Sequence, residues 1–321
     1  MKSPKNHRYK TIGIALAAYQ PRPEHLHAQL SSLQTQTWKD WTCVVSFDSS
    51  SKVLRDSPEF EKFTADPRFQ WRENATRLGV TGNFEAAIRE VVGTGVDALA
   101  CCDQDDVWYP EKLALSVQAL ERLGPGGLVF CNMNLMDTEG NISSETAWSA
   151  ERRGVTNCRT MDLLVRNVVA GTGMLLDADL ARRFPKIPEK VHFHDRWYPL
   201  VASVVGSIRP VPQALYAYRI HHGNLAGLSR YTGLFRRKAS AAGPPSLLSK
   251  CRAAWADSSS MARELESNGL WLCLFQGIAL KSRWDFGVLL AVYGFLRLRK
   301  DPALARACFA RAVGKAFSLL G

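Results

Sequence analysis

The chain has 321 residues, of which 46% are hydrophobic and 22% charged, and a formal net charge of +11; this fits a soluble globular protein with one large core, or a core of about 220–250 residues with an appendage. Its eight cysteines include no CxxC pair, which argues against a zinc site and against a disulfide framework. The N-terminal MKSPKNHRYK is basic but has no apolar segment of the signal-peptide kind, so the expected location is cytoplasmic with reduced thiols.

TIGIALAAY (11–19) is a continuous apolar run and predicts a buried strand. In the next segment Leu26, Leu30 and Leu33 recur at helical spacing and mark one face of a helix. WTCVVSFD (41–48) and RFQWREN (68–74) predict further strands. GNFEAAIREVV (82–92) predicts a helix, and residues 97–103 another buried strand. PEKLALSVQALERL (110–123) predicts a helix with Pro110 at its first position. GLVFCNMNLMD (127–137) closes the series as a strand. Strands alternating with helices argue for an α/β protein with a mostly parallel central sheet and helices on both faces.

From about residue 140 the pattern loosens, with a short helix expected near DADLARRF and an aromatic run ALYAYRIHHGNLAG at 214–227. KASAAGPPS (238–246) reads as a linker and the remainder as helical, so the expected domains are 1–230 and a basic helical C-terminal extension, 231–321. The apolar part of DFGVLLAVYGFLRLRK (285–300) is too short to span a bilayer and reads as a packed or an interfacial helix. Charge is uneven: residues 1–230 carry a net +2 and residues 231–321 a net +9. The tail therefore points to an anionic partner, a membrane surface or nucleic acid, the alternative being a solvated basic helical face.

CCDQDDVWYPEKL (101–113) places Asp103, Asp105 and Asp106 at the end of a buried strand. Like charges are costly there unless they hold something positive. In open α/β sheets ligands bind beyond the carboxyl ends of the strands, and Tyr19, Asp48 and Asp103–Asp106 fall at three such ends. Hard oxygen donors suit Mg2+ or Mn2+ shared with substrate phosphates. There is no GxxxxGK[ST] loop, and no GxGxxG follows the first strand, so metal and side chains would have to hold those phosphates. The two GTG triplets, at 93–95 and 171–173, are too short to count as cradles.

The opening from IALAAYQPRPEHL to VVSFDSSS resembles that of family 2 glycosyltransferases with the GT-A fold, and DQDDVWYPEKL resembles their DxD region in a rhamnosyltransferase-like branch. RLGVTGNF, NVVAGTGM, HDRW and YRIHHGN follow in that branch's order, over roughly residues 10–228. The resemblance implies that Asp48 contacts the nucleotide base and that Tyr19 flanks it. It implies that Asp105 binds the metal, that Asp103 reaches ribose or metal, and that His221 approaches the metal or the diphosphate. It casts Asp195 as the catalytic base of an inverting transfer. This chain departs from the family's usual residues at Gln20, at Phe47-Asp48-Ser49-Ser50 and at Lys52, which leaves the base open.

The implied function is a metal-dependent inverting transfer of a hexose or rhamnose from a nucleotide-diphosphate sugar. The acceptor would be a hydroxyl of a surface polysaccharide or a lipid-linked saccharide. The cofactor would be Mg2+ or Mn2+, the basic tail would touch the cytoplasmic face of a membrane, and no nucleic acid is expected. A sugar nucleotidyltransferase is the second reading, disfavoured because AAYQPRPEH lacks that class's Gly-rich basic loop; a non-catalytic nucleotide-sugar-binding module is the third. Asp195 could instead be an ion-pair partner of Arg196 or a helix cap. Arg219 could pair with phosphate or with a core carboxylate, and Trp108, Trp197 and Tyr198 could stack on sugars or pack in the core.

Overall fold

A computed structural model describes residues 7–150, 158–165 and 167–221, together with short stretches and single residues between 256 and 312. The proposed linker and nearly all of the 285–300 segment lie outside the described residues.

Nine strands form one sheet: β1 (Ile12–Ala18), β2 (Trp41–Phe47), β3 (Phe69–Glu73), β4 (Ala98–Asp103), β5 (Val107–Trp108), β6 (Gly127–Met136), β7 (Ile142–Thr146), β8 (Met174–Asp177) and β9 (Ser207–Arg219). Their order is β3-β2-β1-β4-β8-β6-β9-β5, with β7 paired to β6 outside that path. The first four strands are parallel to one another. β8 runs against both β4 and β6, and β9 runs parallel to β6, so six of the nine strands share one direction. The sheet is therefore mostly parallel, as the alternating pattern predicts.

Alternate residues of each central strand serve two cores, because successive side chains point to opposite faces. Ile12, Ile14 and Leu16 join Leu26, Leu30 and Leu33 of helix Pro23–Gln34 on one face, with Leu113 and Val117 of helix Lys112–Leu120. Ala15, Val44, Leu99 and Cys101 join helix Gly79–Gly93 and helix His194–Val205 on the other. Each fully buried leucine contributes about 1.5–3 kcal/mol relative to exposure. Gly13 lets helix 79–93 lie close to β1, since a Cβ there would sit 2.8 Å from methyls of Val91 and Val96.

Pro110 does not open the helix that follows it. The helix begins at Lys112, and the Pro110 carbonyl instead accepts a hydrogen bond from the Thr37 N–H at 2.8 Å, tying the turn to the end of helix 23–34. β5, β7 and helix His194–Val205 are elements the sequence pattern does not announce. β5 has two residues, β7 is mostly exposed, and the helix contains Pro199.

Part of the C-terminal region packs on this same body. Met261, Leu265 and Leu290 are fully buried and belong to the apolar cluster that holds Leu163, Leu164 and Trp197. Among the described residues no helix is long and apolar enough to cross a membrane.

Candidate active site

The register of the parallel strands sets the site. Ala18 pairs with Phe47, and Ala17 with Asp103, so β1, β2 and β4 end side by side. The residues that leave those ends are Tyr19, Asp48 and the 103–106 turn. A cavity of about 660 Å³ opens there, and Tyr19, Asp48, Asp103, Asp105, Asp195 and His221 all line it. The last two come from helix 194–205 and from the segment after β9, far from the others in sequence.

Asp103 is the carboxyl end of β4. Burial, then the neighbouring carboxylates of Asp105 and Asp195, push its pKa up to about 7. Asp105 meets His221 directly, with His221 Nε2 2.5 Å from Asp105 Oδ2. Asp106 turns away from the cavity and is fully buried, its Oδ1 accepting the Arg219 N–H at 3.1 Å. Burial holds the Asp106 carboxyl well above the usual range. The acidic triplet thus divides into two cavity residues and one that ties the turn to β9. Arg219 completes that tie by donating to the backbone carbonyls of Asp105, Asp137 and Thr138 at 2.9, 3.1 and 3.1 Å.

Asp48 does two jobs. Its carboxylate accepts from the Leu78 and Gly79 N–H groups at 2.7 and 2.8 Å and from the Asn74 side chain at 3.0 Å. Those bonds satisfy backbone donors at the start of helix 79–93 and hold the 74–79 loop over the cavity. Arg77, carried by that loop, lies 4.4 Å over the Tyr19 ring, and both line the cavity. The Tyr19 N–H donates to Gln104 Oε1 at 2.8 Å, linking β1 to the acidic turn. Gln20 adopts a left-handed φ of 43°, a conformation that asparagine tolerates better than glutamine.

Asp195 stands in the first turn of helix 194–205. Burial pushes its pKa up to about 6, partly offset by the Asn167 side chain, the nearby Arg196 charge and the Gly171 N–H. Arg196 is engaged elsewhere: its guanidinium donates to both carboxylate oxygens of Asp257, at 2.7 and 2.8 Å. His194 is buried against Phe84, ring centroids 3.8 Å apart, and burial lowers its pKa to about 3. A Cβ on Gly171 would collide with the His194 ring. The GTG of 171–173, too short to be a phosphate cradle, forms a buried 3-10 turn whose Gly171 lies against the His194 ring and lines the cavity.

Trp108, Trp197 and Tyr198 are core residues, at most 1% exposed, and do not present sugar-stacking faces. His192 is exposed and does not line the cavity, whereas His194 does. The sequence reading missed Arg77, Gln104, Asn167 and Gly171 as site residues. Three of them lie within the quoted blocks RLGVTGNF, DQDDVWYPEKL and NVVAGTGM without being singled out, and Gly171 was set aside with its GTG.

A sequence model of the family described as Glycosyl transferase family 2 matches residues 14–184, from β1 through the helix after β8. The chain belongs to glycosyl transferase family 2. A protein of Methanocaldococcus jannaschii described as an uncharacterized glycosyltransferase is 23% identical over 134 residues, 42% of this chain and 45% of its own length. The match thus spans under half of that relative. Among solved structures, S. aureus TarS 1–349 in complex with UDP-GlcNAc is similar, with a TM-score of 0.53 and 12% identity over 96% of this chain and 92% of that one. The mannosyltransferase PcManGT from Pyrobaculum calidifontis, in complex with GDP-Man and Mn2+, aligns with a TM-score of 0.55 and 14% identity over 98% and 88%. These likenesses establish the GT-A fold for this family 2 chain. The family match stops at residue 184, before Asp195 and His221, which the structure places in the cavity.

Proposed function

We propose that the protein is a glycosyltransferase that moves a sugar from a nucleotide-diphosphate donor to an acceptor hydroxyl, with inversion. The observation that carries this reading is the convergence of Tyr19, Asp48, Asp103, Asp105, Asp195 and His221 on one cavity from separate segments of a family 2 chain. The neighbours crystallised with UDP-GlcNAc and with GDP-Man and Mn2+ support a nucleotide-sugar donor.

Asp105 and His221 would hold Mg2+ or Mn2+, with Asp103 beside them. An imidazole nitrogen and a carboxylate oxygen already meet at the cavity wall, and they suit a divalent ion that takes its remaining ligands from phosphates and water. Among the described residues no three His, Cys, Asp or Glu side chains are placed to hold a metal by themselves, so the donor diphosphate would have to supply ligands. Such an ion supplies positive charge against the leaving nucleoside diphosphate. Tyr19, Arg77 and Asp48 would frame the nucleoside, with Arg77 held over the Tyr19 ring.

Asp195 would act as the base. Its carboxylate lines the cavity and is not ion-paired with Arg196, whose guanidinium Asp257 holds. As the sugar–phosphate bond breaks and the anomeric carbon gains oxocarbenium character, the ionised carboxylate accepts the proton of the attacking hydroxyl. The acceptor we assign is a surface-polysaccharide or lipid-linked saccharide, the sugar moved being a hexose or rhamnose. The tail with its net +9 would rest on an anionic cytoplasmic membrane surface, where each basic residue contributes about 1 kcal/mol. Loss of vesicle binding on neutralising Arg236, Arg237 and Lys238 tests that contact, and unchanged binding would remove it.

The experiment that tests the function is a panel of nucleotide sugars with Mn2+, scored for slow donor hydrolysis without acceptor. Hydrolysis of one donor above the rest supports transferase chemistry. Binding without turnover of any donor, with or without saccharide acceptors, would leave a binding module.

A further inference from the structure

The helix that carries Asp195 opens on Phe193, whose carbonyl accepts the Arg196 and Trp197 N–H groups, each at 3.2 Å. Phe193, its N-cap residue, has no side-chain acceptor for a free backbone N–H. Pro199 stands four residues after Asp195 and lacks an N–H, so the Asp195 carbonyl loses the donor that a regular helix supplies. The turn thus lacks one bond of the regular helical ladder, the one from residue 199.

A contact from a distant part of the chain adds to that hold. Arg196, the next residue, is held by Asp257 in a two-pronged pair at 2.7 and 2.8 Å, with both side chains more than two-thirds buried. Asp257 is itself anchored. The helical residues around it bury Met261 and Leu265 in the cluster that contains Leu163, Leu164 and Trp197, and Ser258 Oγ donates to the Leu164 carbonyl at 2.7 Å. The pair thus joins the first turn of helix 194–205 to a fixed point in the C-terminal region, well beyond the family match at residues 14–184.

We propose that Asp257 is a positioning residue for the transfer: by holding Arg196 in a planar fork it fixes the turn that aims the Asp195 carboxylate into the cavity. This makes the C-terminal region a working part of the site rather than an appendage. The inference rests on the reading of Asp195 as the base, and its test keeps the two apart.

The test uses the full-length protein and its best donor and acceptor. Asp257→Asn keeps the size and removes the charge. Arg196→Lys keeps the charge and removes the fork. Each should lower kcat by about ten- to a hundred-fold through misplacement of the base, with donor affinity unchanged. Amide exchange in the 193–199 segment should rise, and Asp257→Glu should recover part of kcat. Unchanged kcat in both variants overturns the proposal. So does a lowered melting temperature while the folded fraction keeps its turnover, or a donor affinity that falls in step with kcat. Asp195→Asn is assayed alongside. If it transfers normally, the base assignment fails and the positioning role fails with it; if it loses transfer while Asp257→Asn keeps full kcat, the base stands and the positioning role alone fails.

Discussion

His221 Nε2 lies 2.5 Å from Asp105 Oδ2, although 116 residues separate them in the chain. The contact joins the turn after β4 to the segment after β9, and Arg219, at the end of β9, braces that turn through the Asp105 carbonyl and the Asp106 carboxylate. A divalent ion entering here must replace the His221–Asp105 hydrogen bond by two ligand bonds. Asp105→Ala and His221→Ala should therefore each cut the metal-dependent part of nucleoside-diphosphate binding by at least about ten-fold. Calorimetry with UDP and GDP, in Mn2+ and in chelator, reads this directly. Equal affinity in chelator would remove the metal from the proposed site.

Asp195→Asn should leave donor binding intact and reduce transfer by about two to four orders of magnitude, because an amide cannot take the hydroxyl proton. In the native protein transfer should rise with pH and reach half its plateau near 6, the value to which burial pushes this carboxyl. The sign for stability runs the other way. An acid with a folded-state pKa above its unfolded value of 3.8 binds a proton more tightly when folded, so its contribution is full below that pH and lost as pH rises through about 6. At pH 7.5 the substitution should thus raise the unfolding free energy, by on the order of 3 kcal/mol. A mutant with near-normal transfer would end the base assignment.

Gly171→Ala should disturb the same region through sterics. The added methyl meets the His194 ring, which is buried against Phe84 and has little room to retreat. Overpacking of this kind costs about 1–3 kcal/mol and should displace the turn that presents Asp195. Thermal unfolding and kcat measured on one preparation check it. An unchanged pair of values would show that His194 is free to move.

Asp48→Ala should weaken both folding and donor binding. It strips the loop 74–79 of a charged acceptor for two backbone N–H groups and the Asn74 amide, a loss of about 1–3 kcal/mol. Because that loop carries Arg77 over Tyr19, donor affinity should drop as well. A destabilised variant with full donor affinity would limit Asp48 to holding the loop.

The repeating patterns of the chain were enough for the central sheet and its two covers. Leu26, Leu30 and Leu33 share a helix face because helical periodicity places them there, and the apolar runs of β1, β2 and β4 are buried because helices cover both faces of the sheet. The acidic turn after β4 was legible for the same reason, since three carboxylates at the end of a buried strand need a positive partner. Local pattern could not say which of them face the cavity. Asp105 lines it and Asp106 is buried against the Arg219 N–H, a division made by β9 returning beside β6 and pairing with β5. Nor could it supply Arg77 over Tyr19, Gly171 beneath His194 or Asp257 on Arg196. Those contacts join segments with no shared periodicity, and hydrogen-bond reach and close packing act between neighbours in space, which only the folded chain creates.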